Sequence, residues 1–381
     1  MRRLRNTVVA VAAITALLLS GCGGSDPDDD TPGGSPGERS DWDAGAGPEW
    51  DTLLEAARAE GRVVVGGPAF LAEPMVEAFR RDTGIDLEWL GATGSELSAR
   101  LQQEVAAGNV TMDLKLGGPQ ELFVDYKSLL EPLAPQLILP TVTDTSKWRG
   151  GELPWSDPDE TYMLRTSAYV FGWVVVNREI LDPARIQVWD DLLAEDLRGQ
   201  IVSGDITTPS PGQGAAQHLY NVKGPEFVEE LFLGQEVELI ADNTQVVEQV
   251  ARGTYPIALG AIQTVVERFR SQGFDELEVV LPEDHPGYLT GGFSVIVQAQ
   301  NAPNPNAAQV FLNWFASPAG QRVYEEVMLE TSARTDVRVE QVPDYVRPVD
   351  SADYWLDWEL DWLVNHRARV AQSFVDMVGG R

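Results

Sequence analysis

A thiol, three imidazoles and several glycine-rich turns are the groups in this 381-residue chain whose types and spacing could do chemistry. Cys22 is the only cysteine, so no disulfide can form within the chain. Its thiol is open to acylation, or is incidental to a plain secretory signal. The histidines His218, His285 and His366 lie far apart, and none sits in a His-Glu-x-x-His zinc pattern. Gly292-Phe293-Ser294-Val295-Ile296 approaches a nucleophile elbow but lacks the closing glycine, and it reads as strand. No Gly-x-x-x-x-Gly-Lys-Ser/Thr loop is present for nucleotide phosphates. What recurs is a different pattern. Gly66-Gly67, Thr93-Gly94-Ser95, Gly117-Gly118, Ser210-Pro211-Gly212-Gln213 and Gly260-Ala261-Ile262-Gln263 each stand between a strand and a helix. Bare backbone N–H groups and hydroxyls at helix starts suit a carboxylate, phosphonate or phosphate. The same residues also serve simply as caps. The chemistry on offer is binding rather than catalysis.

The N-terminus adds an address. Arg2, Arg3 and Arg5 precede the apolar run Val8 to Leu19, and small residues follow, as in an export signal. The run is shorter than the ~20 residues a membrane span requires. Leu19-Ser20-Gly21-Cys22 matches the bacterial lipobox, which predicts removal of residues 1–21 and acylation of Cys22. Residues 22–48 are rich in Gly, Ser, Pro and Asp and read as a disordered tether, with Asp28-Asp29-Asp30 solvated rather than metal-bound. The folded part is expected to begin at Glu49. The chain carries 28 basic and 59 acidic residues, a formal charge of -31. Phosphate backbones would be repelled, so nucleic acid is excluded as a partner. An electrostatic hold on anionic lipid is equally disfavoured, which leaves the lipid on Cys22 as the membrane anchor.

The elements that must position the turns follow a rhythm. A helix over 50–60 leads to a short apolar strand over 62–65. A helix carrying Met75, Val76 and Phe79 leads to a strand over 86–90, and a helix over 96–107 leads to a strand over 113–116. Strand, glycine-rich turn and helix in repetition predict a parallel sheet with crossover helices. The longest strand candidate is 169–177. Further strands are expected over 200–204, 256–260, 277–282 and 292–297. Helices begin at Asn304-Pro305 and Ser317-Pro318, where proline fits the first turn. The tail, 354–378, reads as one long helix with Trp355, Trp358 and Trp362 at helical spacing, packed against the N-terminal lobe.

Five segments in this order resemble the type 2 periplasmic solute-binding proteins of ABC importers, in the branch of ferric-iron, polyamine, thiamine and phosphonate binders. They are Trp50-Asp-Thr-Leu-Leu-Glu-Ala-Ala-Arg-Ala-Glu-Gly-Arg-Val-Val-Val65, Trp189-Asp-Asp-Leu-Leu193 with Leu197-Arg-Gly-Gln-Ile201, Val250-Ala-Arg-Gly-Thr-Tyr-Pro-Ile-Ala-Leu259, Ala302-Pro-Asn-Pro-Asn-Ala-Ala308, and Ser317-Pro-Ala-Gly-Gln321. The resemblance implies an α/β fold of two lobes, each a mainly parallel sheet flanked by helices, joined by two crossover strands near 169–176 and 277–282. Residues 49–168 and 283–381 would form lobe 1, with the tail helix packed back on it, and 169–282 lobe 2.

The expected ligand residues at the strand ends are Gly67, Thr93, Ser95, Gly118, Tyr169, Ser210, Gln213 and Gln263. Ferric binders of the branch hold iron with adjacent tyrosines after the strand matched here by 257–260. This chain has Ala261, Ile262 and Gln263 there, so phenolate-held iron is not expected at this loop. The expected ligand is a small organic solute, anionic or an amine. No cofactor, metal or catalysis is implied. The protein is expected to act as a monomer, lipid-anchored on the extracellular face (or the periplasmic side), feeding an ABC permease. Two other readings stay open: a lipid-anchored hydrolase with an unrecognised site, and a sensing lobe that reports to a receptor.

Overall fold

The computed structural model describes residues 40–118, 122, 125–349 and 351–380. The signal segment, Cys22 and most of the tether lie outside the described residues. Order begins before Glu49. Asp41–Asp43 forms a 3-10 turn, and Trp42 is buried edge-to-face against Trp50 with ring centroids 5.8 Å apart. The Thr141 hydroxyl donates to the Trp42 carbonyl at 2.6 Å. A single tryptophan has enough apolar surface to draw the end of a polar segment onto the core.

The first sheet contains β1 (Arg62–Gly67), β2 (Asp86–Gly91), β3 (Leu114–Leu116), β4 (Leu130–Glu131), β5 (Leu164–Arg165) and β13 (Val295–Ala299). Its order is β2-β1-β3-β13-β4, with β5 also on β13. β1 pairs parallel with β2 and β3, while β13 runs antiparallel to β3, β4 and β5. The Val63 and Val65 side chains face the helices Pro48–Glu60, Ala72–Thr83 and Pro305–Ala316, where Trp50, Phe79, Phe311, Trp314 and Phe315 form a dry core. The other face is covered by Leu97 and Leu101 of the helix Gly94–Ala107.

The expected strand over 169–177 is two strands in two sheets. β6 (Tyr169–Phe171) pairs antiparallel with β12 (Tyr288–Thr290), whereas β7 (Val174–Asn177) joins the second sheet. Gly172 divides them at φ 90°. A side chain there would occupy a strained left-handed conformation and would also sit 3.0 Å from the Tyr288 ring. The second sheet adds β8 (Ile201–Gly204), β9 (Glu238–Ile240), β10 (Ile257–Leu259) and β11 (Leu277–Val280), in the order β11-β7-β10-β8-β9. Its parallel centre is β10-β8-β9, and β7 runs antiparallel to both β10 and β11. The segment expected as the second crossover, 277–282, therefore contributes β11 to the second sheet. The chain returns through β12 instead.

The tail departs most from expectation. Trp355–Leu356 is a short strand, β14, paired parallel with β12, which gives the small sheet of β6 and β12 a third strand. The helix starts only at Leu360, passes through a wide turn over Trp362–His366 and continues as Arg367–Gly379. Trp362, Val370 and Phe374 pack with Leu219, Phe227 and Leu231 beside the second sheet, not on the first lobe. The tryptophan spacing suggested one helical stripe, but the rings go to separate places. Trp355 lies near His218 and Tyr288, Trp362 packs in the second core, and Trp358 lies over Arg165. Spacing alone cannot tell a stripe from a strand that turns into a helix. Among the described residues no helix is long and apolar enough to cross a membrane.

Candidate functional site

The register of the first sheet brings several loops to one edge. Because β1, β2, β3 and β5 run the same way and β13 runs against them, that edge carries Gly67, Thr93 to Ser95, Gly117-Gly118, Arg165 and the turn before Val295. Ligands in open α/β sheets sit beyond such carboxyl ends. Phe70 and Phe293 stand exposed at this edge, ring centroids 6.3 Å apart. The Lys115 ammonium is buried and donates to the Gly118 carbonyl at 2.6 Å.

Most of the expected ligand residues prove to be committed locally. Thr93 forms a capping box: its hydroxyl accepts from Glu96 N at 3.3 Å, and the Glu96 carboxylate accepts from Thr93 N at 3.0 Å. The bonds from Thr93 hold the Glu96 carboxyl below its ordinary range. Thr93→Ala is expected to lower unfolding free energy by about 1 kcal/mol, read by urea denaturation. A change indistinguishable from zero would show that the cap does not hold the helix. Ser95 is exposed on the next turn. Gly67 lies under Trp89, whose ring would meet an added Cβ at 2.5 Å. Ser210 donates to Asp205 O at 2.5 Å and accepts from Gln213 N at 3.0 Å. The Gln213 amide donates to Ile206 O at 3.1 Å.

Tyr169 and Gln263 do meet, but around a carboxyl group the sequence reading did not single out. Gln263, first residue of the helix Gln263–Ser271, donates to Met328 O at 2.9 Å and to Glu330 Oε1 at 3.3 Å. Tyr324 donates to Glu330 Oε2 at 3.0 Å, and the Tyr169 hydroxyl bonds to the same group. Glu330 is fully enclosed, and burial pushes its carboxyl up to about 8, against the lowering effect of those bonds. This cluster ties the helix Pro318–Met328, on the first sheet, to a helix of the second.

Gly118 belongs to a different grouping. With Ser156, Arg165, Thr290, Asp357 and Trp358 it lines a narrow cleft. The cleft shares Ser156, Arg165 and Trp358 with a wider cavity of about 490 Å³ between residues 145–160 and the tail. The Arg165 guanidinium stacks on Trp358, 3.7 Å from the ring centroid. Burial lowers its pKa to about 10, with the Asp357 charge opposing. Burial in turn raises Asp357 to about 6, against Thr290, Arg367 and Arg165. None of Arg165, Ser156, Asp357 or Thr290 was predicted. The sole signal was a cation, Arg165, directly before the expected crossover strand.

The groups considered for catalysis are scattered. His218 is buried among Trp189, Tyr288 and Trp355, and burial pushes its pKa down to about 3. His366 lies 3.0 Å from Asp361 on the tail helix. The Ser294 hydroxyl donates to Gly291 O and accepts from Ser167 N, in a turn just before β13 rather than inside a strand. Among the described residues no group of three or more His, Cys, Asp or Glu is placed to hold a metal ion.

Two α/β sheets, joined through strands that divide at Gly172, make a two-lobed fold. The sequence agrees. Residues 74–346 match the model of the bacterial extracellular solute-binding protein family, and the chain belongs to that family. Its members are transport solute-binding proteins, not enzymes. The fold is similar to that of Trichodesmium IdiA (FutA) in complex with iron and citrate, at TM-score 0.62 and 16% identity, covering 84% of this chain and 99% of that one. It is also similar to the periplasmic binding protein AfuA of Actinobacillus pleuropneumoniae with fructose-6-phosphate bound, at TM-score 0.61, 19% identity and coverage of 84% and 99%. A third similar structure is the substrate-binding protein of an ABC transporter from Agrobacterium tumefaciens, at TM-score 0.63, 16% identity and coverage of 83% and 94%. A search of curated protein sequences gives no match.

Proposed function

We propose that the protein is anchored by a lipid on Cys22 and captures a small organic solute between its two lobes for an ABC permease. Residues 1–21 serve as the export signal, and the tether keeps the binding lobes close to the permease by raising local concentration. The observation that carries the reading is the match of residues 74–346 to the extracellular solute-binding family, on a fold of two sheets joined through Gly172. Hinge closure on solute gives the permease a difference in shape between empty and loaded protein.

An organic solute fits better than phenolate-held iron. Ala261 is buried, Gln263 is tied to Met328 and Glu330, and Tyr169 is turned to Glu330. The similar structures include both iron and sugar-phosphate complexes, so the overall fold does not choose between these ligands. The protein is proposed to act as a monomer, since a two-lobed cleft is complete within one chain.

Two measurements test this. Solute that binds only folded protein must raise its thermal midpoint, by an amount that grows with concentration above Kd. Mass spectrometry of small molecules released from the purified chain should identify the class. A broad panel of amines, sugars, carboxylates, phosphonates and metals that shifts nothing would defeat the binding reading. For the anchor, Cys22→Ser is expected to move the chain from the membrane fraction to the medium or periplasm. Continued membrane retention would count against lipidation at this residue.

A further inference from the structure

The proposed solute has a class, and Arg165 supplies it. This inference rests on the solute-binding reading above and goes one step further. A buried guanidinium is costly unless its donors are met and its charge is balanced. Arg165 is 8% exposed, yet among the described residues its side chain makes one hydrogen bond, Nη1 donating to Ser167 O at 2.8 Å. Nε is buried without a partner. Asp357 acts on it through charge alone. Ser156 lines the same two spaces and is 9% exposed, and its Oγ also lacks a partner. Two buried polar groups of this kind at one cavity are unmatched hydrogen-bonding capacity waiting for a ligand.

The geometry limits what that ligand is. Trp358 covers one face of the guanidinium and Nη1 is used by Ser167 O, which leaves the Nε edge unmatched in the plane. An in-plane fork matches two oxygens of a carboxylate or phosphate. Asp357, in the narrow cleft, offsets part of the Arg165 charge without bonding to it, and the carboxylates of the wider cavity are turned to other uses. Asp157 is already taken by the backbone N–H groups of Thr161, Tyr162 and Met163, and Glu152 and Glu160 stand at the exposed rim. A cavity of about 490 Å³ exceeds the needs of a bare inorganic ion and suits a small organic molecule. We infer that the protein binds an organic oxyanion, its carboxylate or phosphate group held by Arg165 and Ser156, in a site walled by Trp358 of the tail. Trp358 lies beyond residues 74–346, so the stretch that matches the family model does not contain the whole site. The oxyanion is held by a side-chain fork at the end of β5, not by the helix starts, where Thr93, Ser210 and Gln213 are already in use.

The test uses the full chain with citrate, a hexose phosphate and aminoethylphosphonate as oxyanion probes, and putrescine and glucose as cationic and neutral ones. At least one oxyanion is expected to raise the thermal midpoint, and Arg165→Gln should weaken its binding roughly 100-fold by calorimetry. Arg165→Lys keeps the charge but not the fork and should lose most of that affinity too. Stabilisation by putrescine or glucose alone would overturn the oxyanion site and leave solute binding intact. No shift from any of the five would count against both. Unchanged affinity in folded Arg165→Gln would overturn the assignment. Should that variant not fold, phenylglyoxal labelling of the wild-type chain decides. Arg165 is expected to be protected by the probe that stabilises most, and labelling at an undiminished rate refutes the site.

Discussion

Gly212→Ala is expected to lower unfolding free energy by about 3 kcal/mol, seen as a shift of the urea midpoint. The reason is a contact among three backbones. Gly212 is the second residue of the helix Pro211–Lys223, and it lies against the carboxyl ends of β8 and β10. A Cβ on Gly212 would stand 2.2 Å from the Gly204 carbonyl oxygen and 2.7 Å from its Cα. Gly260 approaches from the other side, where its own Cβ would be 2.6 Å from the Gly212 Cα. These neighbours are main chain, so no rotamer change can make room, and the helix start must move away from the sheet edge. Overpacking of this kind strains whatever surrounds it. A Gly212→Ala protein as stable as the wild type would show that the helix start is not held by this contact.

A second large effect should appear with pH. Burial raises the Glu330 carboxyl from an ordinary 4.5 to about 8 in the folded chain. Between those values the native state holds a proton that the unfolded state has released, so stability must fall as pH rises. The contribution is fully present below about 4.5 and is lost as pH climbs through about 8. A shift of this size corresponds to something on the order of 5 kcal/mol over the window. Glu330→Gln keeps a similar shape and an acceptor for Tyr324 but cannot ionise. The difference in unfolding free energy between wild type and Glu330→Gln, followed across this window, should therefore carry the slope. Parallel curves for the two proteins would rule out Glu330 as the titrating group. Since Gln263 reaches this carboxyl from the second lobe, the titration also acts where the lobes touch.

The elements of lobe 1 were legible because each carries a local signal. Val63 to Val65 is apolar on every residue, as a strand covered on both faces must be, and β1 is buried from Val63 to Gly67. Gly61, Gly84 and Gly108 stop their helices at positive φ, which glycine alone adopts without strain. The split at Gly172 was not legible, because a glycine inside an apolar run looks the same in one strand as between two. Nor was the tail. Trp355, Trp358 and Trp362 share a helical spacing, yet only pairing with β12 makes the first of them a strand residue.

The amino-acid order by itself carried the lipobox pattern behind the proposed anchor, the acidic balance, the alternating α/β elements and the family. These depend on composition and on near neighbours along the chain. Which polar groups are left over for a solute depended on the tertiary structure alone. Thr93, Ser210 and Gln213 find partners within a few residues, so their availability was lost locally. Among the described residues, Arg165 Nε and Ser156 Oγ stay unmatched where Asp357 and Trp358, nearly two hundred positions away, close over them without hydrogen-bonding to them. Hydrogen-bond satisfaction in a buried site is a property of the whole fold, and no reading of spacing along the chain contains it.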